Sequence, residues 1–173
     1  MEDGIRLERE KLLILKENAT YILDTSQLLT RELKKALEQI LVEEKNFKNL
    51  MITVLSFGFK YGIPNDCDLV FDVRFLPNPY YVDGLKYKTG NDEEVQDFVM
   101  GYEISHIFLG KLVDMLNFLI PNYILEGKNQ LVIGIGCTGG KHRSITFARK
   151  IGEFCKKLGY APSVQHRDVN RSL

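Results

Sequence analysis

The sequence predicts an α/β protein with a mainly parallel sheet flanked by helices. Leu50-Met51-Ile52-Thr53-Val54-Leu55-Ser56-Phe57 is a strand by its apolar and β-branched content, and Leu131-Val132-Ile133-Gly134-Ile135 is apolar at nearly every position, as strands buried on both faces are. Two helical patterns alternate with them. One runs through Ile104, Phe108, Leu112, Met115, Leu116 and Leu119, the other through Ser144, Phe147, Ala148, Ile151, Phe154, Cys155 and Leu158. Strand, helix, strand, helix, strand is the order that builds parallel sheets.

The elements follow in order. Residues 4–18 are charged with scattered leucines and predict a helix, and Tyr21-Ile22-Leu23 predicts a short strand closed by Asp24-Thr25-Ser26. A second helix is expected from Thr30, a suitable N-cap, with Leu33, Leu37, Ile40 and Leu41 on one face. Residues 43–49 are polar and predict a linker, so the chain divides into a segment 1–44 and a domain 45–173. The domain opens with the strand at 50–57. Gly58, Gly62, Pro64 and Asn65 mark a loop, residues 69–73 a strand, and Pro77-Asn78-Pro79 a break. The helix beginning near Ile104 is expected to stop at Pro121, and the one beginning near Ser144 to end at Gly159. Residues 163–166 form a last strand.

Composition narrows the function classes. Of 173 residues, 45% are hydrophobic, an ordinary globular fraction. No uninterrupted apolar run approaches the ~20 residues of a membrane span, and the charged first ten residues do not resemble a secretory signal, so a cytoplasmic location is expected. Lysines and arginines number 23, as do the acids, which does not announce a nucleic-acid binder through net charge. Cys67, Cys137 and Cys155 have neither paired spacing nor a histidine cluster, so no disulfide framework or metal site is expected.

The chemistry concentrates at Cys137-Thr138-Gly139-Gly140-Lys141-His142-Arg143-Ser144, where a buried strand runs into a helix. Gly139 and Gly140 let the backbone turn sharply and approach a ligand. The helix N-terminus favours an anion. Lys141, His142 and Arg143 add charge, Arg143 with a fork that can hold a phosphate bidentately, and Ser144 adds a hydroxyl. A tight turn with solvated charges would use the same glycines. Cations and a hydroxyl set against them favour the anion site. The pattern Cys-x-x-Gly-x-x-Arg-Ser also resembles the phosphate loop of cysteine-dependent phosphatases, which makes Cys137 and Arg143 an alternative catalytic pair. Gly136 stands where those enzymes usually carry histidine, and Asp72 and Asp168 are the candidates for their general acid.

A second constellation joins residues 57–62, including Lys60, to residues 72–80, including Asp72, Arg74, Asn78 and Tyr80. A parallel sheet places both beside the anion loop. Lys60 and Arg74 supply charge there, and Asp72 and Asn78 can meet sugar hydroxyls or an amine. Asp72 and Arg74 are equally readable as a structural ion pair. His166-Arg167-Asp168 reads as a cluster at a strand end.

Together, residues 56–80, 136–144 and 166–168 resemble the C-terminal domain of the RapZ/YvcJ family of RNase adapter or nucleotide-binding proteins. Gly4-Ile5, Glu8-Arg9 and Asp24-Thr25-Ser26 resemble the end of that family's N-terminal P-loop kinase-like domain. The resemblance implies a domain similar to a phosphofructokinase subdomain. It implies a site at 137–144 with Asp72, Arg74 and Tyr80 nearby, sensing an amino-sugar phosphate such as glucosamine 6-phosphate. It also implies a small RNA and an RNase as partners, with homo-oligomerisation left open. Full-length members bind ATP or GTP through a Walker A loop. No G-x-x-x-x-G-K-S/T occurs here, so no cofactor and no nucleotide hydrolysis are expected of this chain, which resembles a truncated form. Enterobacterial members end in a basic RNA-binding tail. This sequence ends Val169-Asn170-Arg171-Ser172-Leu173, which weighs the expectation toward the phosphosugar.

Overall fold

The computed structural model describes residues 2–30, 32–33, 36–37, 40 and 50–171. The chain forms two compact units, Met1–Asn49 and Leu50–Leu173.

In the first unit, helix α1 spans Glu2–Asn18. The turn at Asp24 is closed by its carboxylate, which accepts from the Ser26 amide at 2.9 Å. The expected strand at Tyr21-Ile22-Leu23 does not form. A strand is stable only on a ladder partner, and three apolar residues without one stay irregular. Thr30 is already helical, and Leu29 is the capping residue: its carbonyl accepts from the Leu33 amide at 3.0 Å. Glu32 folds back to accept from the Leu29 amide at 2.9 Å, the glutamate half of a capping box. Leu41 and the expected linker at 43–49 lie outside the described residues.

The second unit is an α/β layer. Strands β1 (Met51–Gly58), β2 (Leu69–Asp72), β3 (Gln130–Cys137) and β4 (Ser163–His166) form one sheet in the order β2-β3-β1-β4, and every pairing is parallel. Short 3-10 turns at Phe59–Tyr61 and Pro79–Tyr81 follow β1 and β2. Helices α2 (Glu93–Met100) and α3 (Glu103–Leu125) lie in the β2-to-β3 crossover, and α4 (Arg143–Lys157) in the β3-to-β4 crossover. The sheet is therefore mainly parallel and helix-flanked, as its apolar runs predict.

Helix α2 has no counterpart in the sequence reading above. Its signal is present: acids Glu93 and Glu94 in the first turn, then Val95 and Val99 one turn apart, both fully buried. Pro121 does not end α3 as expected; it sits inside the helix. Proline removes one donor, and the helix can continue where the freed carbonyls find other partners. One turn is additionally held by the Asn122 side chain, which donates to the Phe118 carbonyl at 2.6 Å. The end comes at Gly127, at φ 88°, with Lys128 N–H donating to Tyr123 and Gly127 N–H to Ile124, a Schellman pattern. Gly159 closes α4 in the same way, through Tyr160 to Cys155 and Gly159 to Lys156.

By length and composition alone α3, at 23 residues, matches a membrane span. Its Leu112, Leu116 and Ile120 nonetheless belong to the core, with Val54, Ile133, Ile135, Phe147 and Ile151. Phe147 is fully buried on α4 with its ring tilted against Phe108, whereas Phe118 is 69% exposed. Phe147→Ala should therefore cost about 3–5 kcal/mol in urea denaturation. Phe118→Ala should stay within about 0.5 kcal/mol. A comparable loss at both positions would mean that the helices are packed otherwise.

Candidate functional site

Because the sheet is parallel, all four strands deliver their C-termini to one edge. Register places Gly58 opposite Cys137 and Ser56 opposite His166 at that edge. The chain leaves β1 toward β2 and leaves β3 toward β4. The first connection crosses β3 and the second crosses β1, so both pass over the C-terminal ends of the two central strands, the edge at which parallel sheets bind ligands. A cleft of about 260 Å³ lies there, lined by Cys137, Thr138, Gly139, Lys141, His142 and Arg143 of the loop and by Lys60, Asn78, Tyr80 and Tyr81.

The loop is shaped by contact with β1. Gly140 has φ 75°, and a Cβ there would lie 2.7 Å from the Gly58 nitrogen. A Cβ on Gly58 would lie 2.7 Å from the Gly139 carbonyl carbon, so the two backbones touch only because neither residue carries a side chain. Asp168 fastens the contact. Its Oδ2 accepts from the Gly58 amide at 2.8 Å and from Arg167 Nε at 3.0 Å, and Arg171 Nε lies 3.0 Å from Oδ1. Arg167 reaches on to the Gly62 carbonyl at 2.8 Å.

Cys137 forms the floor. It is 3% exposed, and its Sγ accepts from the Gly140 amide at 3.2 Å and lies 3.1 Å from Ser144 Oγ. Ser144 and Gly140 thus support the sulfur rather than line the cleft.

The three basic residues of the loop divide in role. His142 is 6% exposed, and burial lowers its pKa, so at neutral pH it is an uncharged ring and adds no positive charge, contrary to the sequence expectation. Arg143 is 5% exposed. Its Nη1 donates to the carbonyls of Arg74 and Leu76 at 2.6 and 3.0 Å, and its Nη2 to Thr138 Oγ1 at 3.4 Å, while Nε has no partner. Burial pulls its pKa down, but an arginine remains a cation at neutral pH. Lys141 and Lys60 both line the cleft, and the Lys60 ammonium lies 4.7 Å from the centre of the Tyr61 ring.

The structure brings Lys60, Asn78 and Tyr80 to the cleft, and adds Tyr81, which the sequence reading did not single out. Its signal was an aromatic pair directly after Asn78-Pro79. Asn78 caps this turn, its side chain accepting from the Tyr80 amide at 3.4 Å. Asp72 and Arg74 stand beside the cleft and pair with each other, Nη2 to Oδ2 at 2.7 Å, with Arg74 stacked 4.1 Å over the Phe59 ring. The hydrogen bond from Arg74 holds the Asp72 carboxyl below its ordinary range. Desolvation pushes Asp168 up, but Arg167 and the Gly58 amide outweigh it and hold this carboxyl low as well. Both aspartates are therefore ionised at neutral pH, and neither lines the cleft. His166 bonds Ser56 Oγ through Nδ1 at 2.9 Å and faces a separate cleft with Arg149 and Lys156.

The fully buried Asp168 makes a pH prediction. A carboxyl with a depressed folded pKa contributes stability above its unfolded value of about 3.9 and loses it as pH falls through the folded value. Stability should thus fall below about pH 4. Asp168→Ala should cost about 1.5–3 kcal/mol at pH 7 through lost charge-assisted bonds. The same variant should flatten the acid limb of a urea-midpoint titration; an unchanged limb would contradict the ionised assignment.

Known proteins match this architecture. The family described as the RapZ C-terminal domain covers residues 50–170. A nucleotide-binding protein of Agathobacter rectalis is 64% identical over 172 residues, which are 97% of this chain and 58% of that protein. One from Lachnoclostridium phytofermentans is 61% identical over 171 residues, 99% and 60% of the two chains. One from Acetivibrio thermocellus is 51% identical over 168 residues, 97% and 58%. The chain spans about three-fifths of the length of these relatives. With the glycine loop, the Asp168 lock and the parallel sheet all inside the matched region, the chain belongs to the RapZ family and carries its C-terminal domain.

Proposed function

We propose that the cleft binds the phosphate of a small phosphosugar, glucosamine 6-phosphate being the expected ligand, and that the domain is a regulatory sensor. The observation that carries this reading is the cleft itself. A glycine loop at a helix N-terminus, two lysines and a buried arginine meet one wall of Asn78, Tyr80 and Tyr81. The loop and lysines suit a phosphate. The amide and phenols suit hydroxyls, and aromatic faces suit a sugar ring. A volume of about 260 Å³ is small and suits one ring with its phosphate better than a dinucleotide.

The relatives' printed name is nucleotide-binding protein. No Walker A pattern occurs among these 173 residues, so nucleotide binding is assigned to the longer proteins and not to this cleft. An adapter role toward a small RNA and an RNase belongs likewise to the whole protein, in a cytoplasmic setting. RNA retention that weakens steeply with salt would support it.

Calorimetric titration with glucosamine 6-phosphate tests the sensor reading. Arg143→Lys keeps the charge and loses the fork, together with at least one charge-assisted bond. That is roughly 1.5–3 kcal/mol, or about tenfold or more in affinity. Lys141→Arg keeps a cation at the cleft and should change affinity little. Because Arg143 also holds the carbonyls of Arg74 and Leu76, the urea midpoint of each variant is measured in parallel. Equal affinities in properly folded variants, or a larger loss at Lys141, would remove Arg143 from the ligand site. No binding by the wild-type chain would overturn the reading.

A further inference from the structure

We propose that Cys137 is a nucleophile, and that the loop transfers phosphoryl groups from aryl or acyl phosphates to water through a phosphocysteine. The inference rests on the phosphate-binding reading of the same cleft and adds a reaction to it. Five residues separate Cys137 from Arg143, and the hydroxyl of Ser144 follows. The structure folds that spacing into a loop around one point. Cys137 is part of the cleft lining. Beneath it, the Gly140 amide donates at 3.2 Å and the Ser144 hydroxyl lies at 3.1 Å. These are the partners a thiolate needs, and the thiolate is the attacking form. Gly139 leaves its outer side open, with no atom within 4 Å of where a Cβ would stand. Arg143, buried to 5% exposure, keeps an unpartnered Nε behind the loop that it lines.

In the first step a sulfur electron pair attacks phosphorus. The S–P bond forms as the P–O bond to the leaving group breaks, and that electron pair departs on oxygen. In the second step water attacks phosphorus and the S–P pair returns to sulfur, to which the Ser144 hydroxyl donates a hydrogen bond. The water proton passes to a phosphate oxygen. Inorganic phosphate leaves, the thiolate is restored, and nothing is oxidised or reduced.

The surroundings select the substrate class. Asp72 and Asp168 are held as carboxylates in ion pairs and neither lines the cleft, so neither is placed to protonate a departing oxygen. The leaving group must depart as a stable anion, as an aryloxide or a carboxylate does. A sugar alkoxide does not. Phosphosugars therefore occupy the cleft uncleaved and compete with turnover.

The test uses the intact 173-residue chain with 4-nitrophenyl phosphate and acetyl phosphate, and glycerol phosphate as the alkyl control. Turnover is expected of the first two alone, with inhibition by inorganic phosphate and by glucosamine 6-phosphate. Acid-quenched samples should carry a phosphoryl adduct on the Cys137 peptide by mass spectrometry. Cys137→Ser and Cys137→Ala should lose turnover and adduct while still binding inorganic phosphate in calorimetry. Ser144→Ala should slow adduct breakdown and raise its steady-state level. Turnover that survives both Cys137 variants overturns the proposal. So does phosphate binding by the wild-type chain with neither turnover nor adduct, a result that leaves the sensor reading standing. Failure of the wild-type chain to bind phosphate at all would overturn both.

Discussion

The site depends on one close approach of backbone to backbone, Gly58 at the end of β1 against Gly139-Gly140 after β3. No side chain fits between them: a Cβ on either side would stand 2.7 Å from the opposite main chain. This contact turns the loop back over the sheet edge and sets Cys137 at its base. It also leaves the Gly58 amide pointing at nothing in its own strand, and a buried amide needs a partner. Asp168 supplies that partner from the far end of the chain, and Arg167 and Arg171 keep its carboxylate charged. Three segments distant in sequence are thus locked by one buried acid, and the loop is held in place before any ligand arrives.

That lock explains why the basic triplet 141–143 does not act as a simple positive patch. Once the loop is pinned, successive residues point in different directions. His142 is driven inside, where desolvation makes the neutral ring the stable form. Arg143 enters the first turn of α4 and meets backbone carbonyls. Of the three, Lys141 is the one in the cleft lining that is not buried, and Lys60 lines it from the end of β1.

Much of this was legible in the sequence. The continuous apolar run at 131–135 identified a central parallel strand because a strand covered on both faces has no solvent side to mark with polar residues, and the apolar and β-branched content of 50–57 identified another strand. The glycine loop was legible because only close backbone approach calls for Gly139-Gly140 at a strand-to-helix turn. Other features depended on tertiary partners. The short helix at Glu93–Met100 offers only two fully buried valines, too few turns for a periodic signal. Pro121 reads as a stop, yet it sits inside the helix, where core packing of Leu112, Leu116 and Ile120 carries the helix on. The charge of His142 was misjudged because burial is invisible in a run of basic letters. The pairing of Asp72 with Arg74 was one of two readings, and two-residue spacing alone could not decide between them.

Arg143 also fixes the width of the cleft. Its guanidinium starts on the loop side, at Thr138, and ends on the carbonyls of Arg74 and Leu76, in the segment that leads to Asn78, Tyr80 and Tyr81. The aromatic wall is therefore tied to the glycine loop by Arg143. Two hydrogen bonds from a cation to main-chain carbonyls are among the stronger tethers a surface segment can have. They hold even though Tyr81 is 82% exposed and its ring has little packing of its own. The distance from loop to wall thus follows from the length of one arginine side chain. The cleft of about 260 Å³ between loop and wall is set by that tether, with Tyr80 and Tyr81 on the wall side.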